Sequence, residues 1–580
     1  MSKSERWASR VGLVLAMAGN AVGLGNFLRF PAQAARNGGG AFLIPYLVSL
    51  VVMGLPLMWV EWMMGRYGGQ FGHHSTPGIF GSMGRNRFWR YSGVLGLVCC
   101  LGVSSYYLYI QSWCMAYAGY SAIGGFSPVK TASAPVEPGA SSADPAMKLA
   151  DTPANFFARL TGEKENQILA ISPMGMLIFA VCISINIFIL SRGLAGGIEV
   201  IAKIGMPMLL IFATVLAIRG LMADPDSDPG VKFSPLVGLN FVWQPKFDSL
   251  FNPAVWLAAA GQIFFTLSIG MGSIHCYASY LSKDDDVVLT GATTAWTNEF
   301  CEVVVGGTIL IPIAVSYLGI DAVQNYVKGG SGFGLGFMVL PTLFANWGKF
   351  APLAGFMWYG LLFIAAITSS LAMGQPIIAF LQDEFGYTRK KAAISLGALI
   401  LVLAIPVAIF HENSVNADLD YWMGTLALVV FALLECILVG WVFGMDRTWA
   451  ELNRGGQMVI PRAFYYITKY VTPLFIITIL SAYVFQPKAG WEAHSLALIN
   501  GTEAPAWEWS GDGMIGKLMN LDLVIPADAT EEQKNFLGWV KIIRTLDRLA
   551  LVGMFVFFCV LVSKAWKRNG HAEKLYGPNA

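Results

Sequence analysis

Charge is what this chain has least of. Only 13% of its 580 residues are Asp, Glu, Lys or Arg, while 55% are apolar and the mean hydropathy is +0.57. Soluble domains carry about 25% charged residues, so a water-surrounded globule is excluded and a polytopic membrane protein is implied. Histidine is scarcer still: His73 and His74 share one inner loop, His275 stands alone in an apolar segment, and His411, His494 and His571 lie near water, with no HExxH among them. An intramembrane enzyme needs a nucleophile with its base or a metal cluster, and no such set is visible, so no catalytic residue is expected. All eight cysteines fall in apolar segments and the two long polar stretches contain none, which leaves no disulfide framework and no zinc spacing. The run GGSGFGLGF at 329–337 has neither the preceding strand nor the lysine of a phosphate loop, and it reads as an external hairpin. No nucleic-acid partner is expected.

What the chain has in quantity is apolar length. Runs able to cross a bilayer, for which about 20 residues suffice, occur at about 11–36, 41–64, 91–124, 171–190, 198–222, 254–281, 287–318, 351–382, 392–410, 422–444, 463–486 and 547–566, which predicts twelve spans. Lys and Arg gather on one side of them, from Lys3, Arg6 and Arg10 through Arg85, Arg87 and Arg90 to Lys564, Lys567 and Arg568, so both termini are expected to be cytoplasmic. The acidic KDDD at 283–286 and the basic Lys541, Arg544 and Arg548 run against that rule. An AMA triplet at 16–18 has the form of a signal-peptidase site, but cleavage there would cut an interrupted first span, which is instead expected to stay as the insertion signal. The Pro-, Ala- and Ser-rich insert at 125–170 reads as a flexible external loop. The organisation expected is five spans in 1–222, five more in 223–444, and two in 445–580 with a second external loop at 488–540 and a cytoplasmic tail.

Two spans are interrupted. Gly19 to Arg29, GNAVGLGNFLR, places bare backbone and the amides of Asn20 and Asn26 at a depth where orphaned N–H and C=O groups are tolerated only beside protein or a water-filled cavity. Neutral oxygens beside exposed carbonyls suit a hard monovalent cation. Five spans later, IFFTLSIGMG puts Thr266, Ser268, Gly270 and Gly272 into the middle of another apolar run. Matching breaks in successive groups of five are what an inverted-repeat transporter with a midplane site predicts. Thr368, Ser369 and Ser370 add a polar seam to the eighth span.

GNAVGLGNFLRFP, the surroundings of Glu61, YYLYI, IFFTLS, TNE and TSSLAMGQP together resemble the neurotransmitter:sodium symporter family, most of all its bacterial leucine-transporter-like amino acid members. The resemblance runs from Trp7 to the twelfth span and lapses at about 125–170 and 488–540. It implies an all-α integral membrane protein of twelve transmembrane helices, built as an inverted five-helix repeat with broken first and sixth helices. It implies sodium-coupled import of an amino acid by alternating access across the cell membrane, with two Na+ ions and a homodimer as an assembly open to the fold.

By the same resemblance, one sodium site would use Ala21, Asn26, Thr266 and Asn298, and a second Gly19, Val22, Ala365, Thr368 and Ser369. The substrate would sit among Ala21, Gly23, Leu24, Gly25, Tyr107, Thr266 and Ser268, its side chain against Val103, Phe265, Met271, Ser369 and Met373. No charged residue faces that side chain, so the substrate is expected to be neutral and apolar. Glu302 stands where animal relatives use a serine beside chloride, and would replace the anion. Arg29 and Asp420 would form an outer gate, and Trp7 with Asp383 an inner one. The arginine expected three residues before Trp7 is Ser4 here, leaving Lys3 or Arg6 to pair with Asp383; Gln111 and Met271 replace the expected Glu and Phe.

Overall fold

The computed structural model describes residues 5–84, 86–126, 152–163, 167–247, 250, 253–329, 332–411, 415–526 and 528–569. Lys3, Ser4, most of the 125–170 insert and the end of the tail lie outside that set. Among the described residues the chain is helical, with one isolated antiparallel bridge between Pro487 and Trp509. Its first span is a bent pair, α1 (Arg10–Ala21) and α2 (Gly25–Arg36), meeting at 45°. The uninterrupted spans that shape the site are α3 (Gly40–Gly69), α4 (Arg87–Ala122), α5 (Pro173–Ser191) and α6 (Leu194–Leu221). Among the described residues ten helices are long and apolar enough to cross a membrane, eleven if the bent pair counts as one. The remaining expected span is cut into α7 (Pro253–Thr266, 14 residues) and α8 (Ser273–Ala278, 6 residues), each too short to cross alone. There follow α9 (Val287–Leu318), α10 (Ala351–Phe385), α11 (Arg389–Ile409), α12 (Val415–Val442), α13 (Ala463–Val484) and α14 (Glu531–Asn569).

Local chemistry explains where these helices begin and the charges that defied the loop rule. The Ser9 hydroxyl caps α1 by accepting from Gly12 N–H at 3.0 Å, and Asp286 caps α9 by accepting from the Val288 and Leu289 N–H groups at 2.9 Å each. Asp286 also accepts from Gln457 N–H at 2.7 Å, so the last acid of KDDD is a structural anchor. Arg544 pairs with Asp522 at 2.7 Å and Arg548 with Asp418 at 2.6 Å, which fixes both arginines to the protein surface they cover. α14 starts sixteen residues before the apolar run it contains, so 531–540 is helix where the end of the 488–540 loop was expected. The glycine-rich run is corrected too: Gly332–Gly334 and Leu335–Val339 form helical turns instead of a hairpin. Its bare backbone lets Trp358 Nε1 and the Tyr359 hydroxyl both reach the Gly336 carbonyl, at 3.1 Å each.

The scaffold is α4 laid along α10, with α6 also packed on α10 and α1 against α6, α9 and α10. The breaks interrupt this frame where backbone geometry leaves the helix. Val22 turns extended (φ −73°, ψ 94°) at the end of α1. Between α7 and α8 the chain takes left-handed conformations at Ser268 (φ 54°), Gly270 (φ 74°) and Gly272 (φ 92°). For a residue with a Cβ this costs roughly 1–3 kcal/mol, and the Ser268 hydroxyl offsets part of it by donating to Asn20 O at 3.0 Å.

Candidate substrate and ion site

The two breaks face one small cavity. Ala21, Gly23, Leu24 and Gly25 line it from the first break and Phe265, Thr266, Ser268 and Met271 from the second; Val103 and Tyr107 of α4 and Ser369 and Met373 of α10 close it, with Asn20 and Asn26 besides. All the positions expected around a substrate therefore meet in one place, and no Asp, Glu, Lys or Arg lines it. The Leu24 N–H donates to the Tyr107 hydroxyl at 3.2 Å. At Gly25 an added Cβ would stand 2.7 Å from the Phe265 ring, so glycine is what lets that aromatic lie against the first break.

Asn26 organises the first set of expected ion ligands. Its Oδ1 accepts from Gly23 N–H at 2.8 Å and its Nδ2 donates to Asn298 Oδ1 at 2.8 Å and towards Glu302 Oε2 at 3.1 Å. Asn298 Nδ2 donates to Thr266 Oγ1 at 3.0 Å, and that hydroxyl donates to Glu302 Oε2. Gln262 Nε2 holds the other Glu302 oxygen at 2.7 Å. Each amide oxygen accepts one hydrogen bond and keeps a second lone pair, so the set suits a small hard cation. In the second expected set, Ser369 Oγ lies 3.2 Å from Gly19 O and 3.1 Å from Ala365 O, and Thr368 Oγ1 3.1 Å from Ala365 O. Val22 is fully buried beside them at the end of α1, its N–H bonded to Ala18 O at 2.7 Å.

Above the cavity the Arg29 guanidinium lies 4.2 Å from the Phe265 ring centroid, 4.0 Å from Asp420 Oδ1 and 3.3 Å from Thr425 Oγ1. Asp420 is held by the Tyr106 hydroxyl at 2.8 Å. Below it, Trp7 Nε1 donates to Tyr277 O at 3.2 Å. The inner ion pair differs from expectation. Among the described residues neither Asp383 nor Arg6 makes an ion pair; Asp383 accepts from the His74 backbone N–H at 2.9 Å. The pair that ties the N-terminal segment down is Glu5 with Arg389 at 3.1 Å, and Arg389 also donates to Gln375 Oε1 at 2.6 Å. Charge signs are exchanged: the acid is on the N-terminal segment and the base beside the eighth span. His74 lies between α3 and the short helix Thr76–Met83, stacked on Tyr280 at 4.3 Å with its Nδ1 2.8 Å from Ser279 Oγ, and burial pushes its pKa down to about 4.

A family model for the sodium:neurotransmitter symporter family matches residues 4–495. The chain belongs to that family. Relatives of this symporter include a sodium-dependent transporter of Methanocaldococcus jannaschii, MJ1319, 30% identical over 492 residues, covering 83% of this chain and 90% of that protein. A sodium-dependent transporter of Haemophilus influenzae is 29% identical over 83% of this chain and 98% of its own. A sodium-dependent nutrient amino acid transporter of Drosophila grimshawi is 23% identical over 87% of this chain and 83% of its own. The crystal structure of MhsT in complex with L-phenylalanine superposes with a TM-score of 0.67 at 27% identity, covering 83% of this chain and all of that one. This symporter is a multi-pass membrane protein of the all-α, leucine-transporter-like class.

Several residues at the site were not visible from the sequence of this symporter. Gln262, Tyr106 and Thr425 hold Glu302, Asp420 and Arg29 from elements far away in the chain. A polar residue one helical turn before Thr266 was the signal available for Gln262. His275, solitary in its segment, is not solitary in space: its Nδ1 is 3.4 Å from Glu61 Oε2 and its Nε2 3.5 Å from Glu435 Oε1.

Proposed function

We propose that this symporter imports a neutral, apolar amino acid with two sodium ions by alternating access. The observation that carries this reading is the cavity between the two breaks: neutral oxygens and bare backbone on one side, and an apolar wall of Val103, Phe265, Met271 and Met373 on the other. The Leu24 N–H and Tyr107 hydroxyl suit a carboxylate, and the carbonyl oxygens of the breaks suit an ammonium. One ion would be held by Ala21, Asn26, Thr266, Asn298 and the substrate carboxylate, the other by Gly19, Val22, Ala365, Thr368 and Ser369. A charged substrate side chain would lie unpaired against that wall, at a cost of several kcal/mol. Met271 and Met373 are flexible thioethers able to shift for large side chains, in keeping with a structural neighbour crystallised with L-phenylalanine. Arg29 moving onto Asp420 would close the outer path, and release of Glu5 from Arg389 would free the inner one.

The driving force is sufficient. One charge crossing 100 mV is worth about 2.3 kcal/mol and a tenfold sodium gradient about 1.4 kcal/mol per ion, so two ions supply on the order of 7 kcal/mol. Uptake of labelled leucine into proteoliposomes tests the reading: it should require sodium and be competed by methionine, phenylalanine and tryptophan but not by lysine or glutamate. Uptake indifferent to sodium would refute it. Glu302, bonded to groups from both breaks, supplies the negative charge that chloride provides in animal relatives. Transport should therefore proceed without chloride, and Glu302→Ser should make it chloride-dependent; full activity of that variant in chloride-free medium would remove the role.

A further inference from the structure

Away from the cavity, three ionisable side chains meet in the apolar interior. Glu61 of α3, His275 of α8 and Glu435 of α12 are each fully buried. The imidazole is bracketed, with Nδ1 3.4 Å from Glu61 Oε2 and Nε2 3.5 Å from Glu435 Oε1. Both ring nitrogens, Glu61 Oε2 and both Glu435 oxygens have no hydrogen-bond partner. Glu61 Oε1 is taken by the Gly270 N–H at 2.6 Å, inside the sixth-span break.

Among the described residues no Lys or Arg pairs with this set. Phe80 and Phe431 lie 6.1 and 6.0 Å from the imidazole centroid. The ionisable groups that face the carboxylates are each other and three thiols: Glu61 and Glu435 act on one another, Cys100 of α4 lies by Glu61, and Cys99 of α4 and Cys436 of α12 lie by Glu435. On α8 itself, next to His275, are the Cys276 thiol and the unpartnered Tyr277 hydroxyl. The helix Thr76–Met83 contains no ionisable residue, and α1 contributes only the exposed Arg10. From α10, the start of α11 and the N-terminal segment, Asp383, Arg389 and Glu5 act on Cys276 on the cytoplasmic side.

Proton counting decides what such a set holds. A neutral imidazole has one N–H and needs a hydrogen on each side to meet two carboxylates, so one more proton must sit on a carboxyl or on the ring. With that one the triad carries a single negative charge; with another it is neutral, the form an apolar interior favours. A single metal ion suits it less, because the ring's two nitrogens diverge and each faces a different carboxylate. We propose that Glu61, His275 and Glu435 form a proton-binding site coupled to the sixth-span break, so that binding of sodium and substrate is accompanied by exchange of a proton with water. The link is short: Glu61 grips Gly270, and the Cys100 thiol, on the helix beside it, donates to Met271 O at 3.0 Å, where Met271 lines the cavity.

The experiment uses the full-length symporter in detergent with sodium, titrated calorimetrically with leucine or phenylalanine at one pH in phosphate and in Tris, which differ in ionisation enthalpy. The coupling rests on the function proposed above, and the binding heat tests that function separately. The apparent enthalpy should differ between buffers by the equivalent of roughly half a proton near the midpoint of titration, and His275→Ile should retain the binding heat but lose the difference. Equal enthalpies across pH 5.5–8.5, or a difference that survives both His275→Ile and Glu435→Gln, overturn the proposal. Infrared spectroscopy reads the site without substrate: a protonated-carboxyl band should be present and diminish in Glu435→Gln, and its persistence unchanged in that variant overturns the proposal as well. Stoichiometric zinc bound by wild type and lost in His275→Ile would mean a metal site instead.

Discussion

The two breaks are held open by different means. The first is stabilised from within: Asn26 folds back on Gly23, three residues earlier, before reaching across to Asn298. The second is held from outside, by Glu61 on Gly270, a partner 209 residues away, and by Ser268 on the first break's Asn20 carbonyl. A local cap can be read from neighbouring letters, whereas a remote carboxylate belongs to the packing of α3 against α8. Glu302 joins the two, touching Asn26 on one side and Thr266 on the other. Ligand binding at one break should therefore be felt at the other, and reciprocally.

Removing the local cap should have the largest effect. Asn26→Leu leaves the Gly23 N–H and the Asn298 Oδ1 unpartnered in a buried site, each costing about 1–3 kcal/mol, so sodium-dependent amino acid binding should fall at least a hundredfold. Substrate affinity equal to wild type and still sodium-dependent would show that the first break does not depend on its own side chain. Glu61→Ala strips the remote support: it orphans one N–H, at roughly 1–3 kcal/mol, and should weaken substrate binding and lower thermal stability together. Loss of binding alone would mean that Glu61 acts on the cavity and not on the fold.

A third test concerns the inner end of the sixth span. His74 has its pKa pushed from 6.5 down to about 4 by burial, so the folded state binds fewer protons than the unfolded chain between those values. Its contribution to stability is full above pH 6.5 and is lost as the pH falls towards 4, roughly 3 kcal/mol in all. His74→Gln should flatten that part of the melting-temperature profile; an identical acid slope would place the acid sensitivity elsewhere. The smallest effect is expected at the cavity wall. Met271→Phe should shift preference from aromatic to aliphatic amino acids by about 1 kcal/mol, typical of a methylene-scale change in an apolar pocket. Tryptophan competing equally well against leucine in both proteins would show that Met271 fills the volume of the ring it replaces.

The amino-acid sequence alone determined the membrane class, the near-boundaries of the spans and the existence of both breaks. Each rests on local properties: uninterrupted apolar length, or glycine and amide residues where a helix should continue. The glycines, amides and hydroxyls around the cavity were legible for the same reason, since GNAVGLGNF and TLSIGM carry their own irregularity, whereas Val103, Tyr107, Phe265, Met271 and Met373 were reached only through the family resemblance. Tertiary structure decided what lies across from what. It placed Glu61 on Gly270 and Gln262 on Glu302, exchanged the signs of the inner ion pair to Glu5 and Arg389, and brought His275 between two carboxylates from α3 and α12. Periodicity assigns a residue to a helix and a face. The partner of a buried charge is set by how separate helices pack, and its energy depends on separations of a few ångströms that no spacing along the chain encodes.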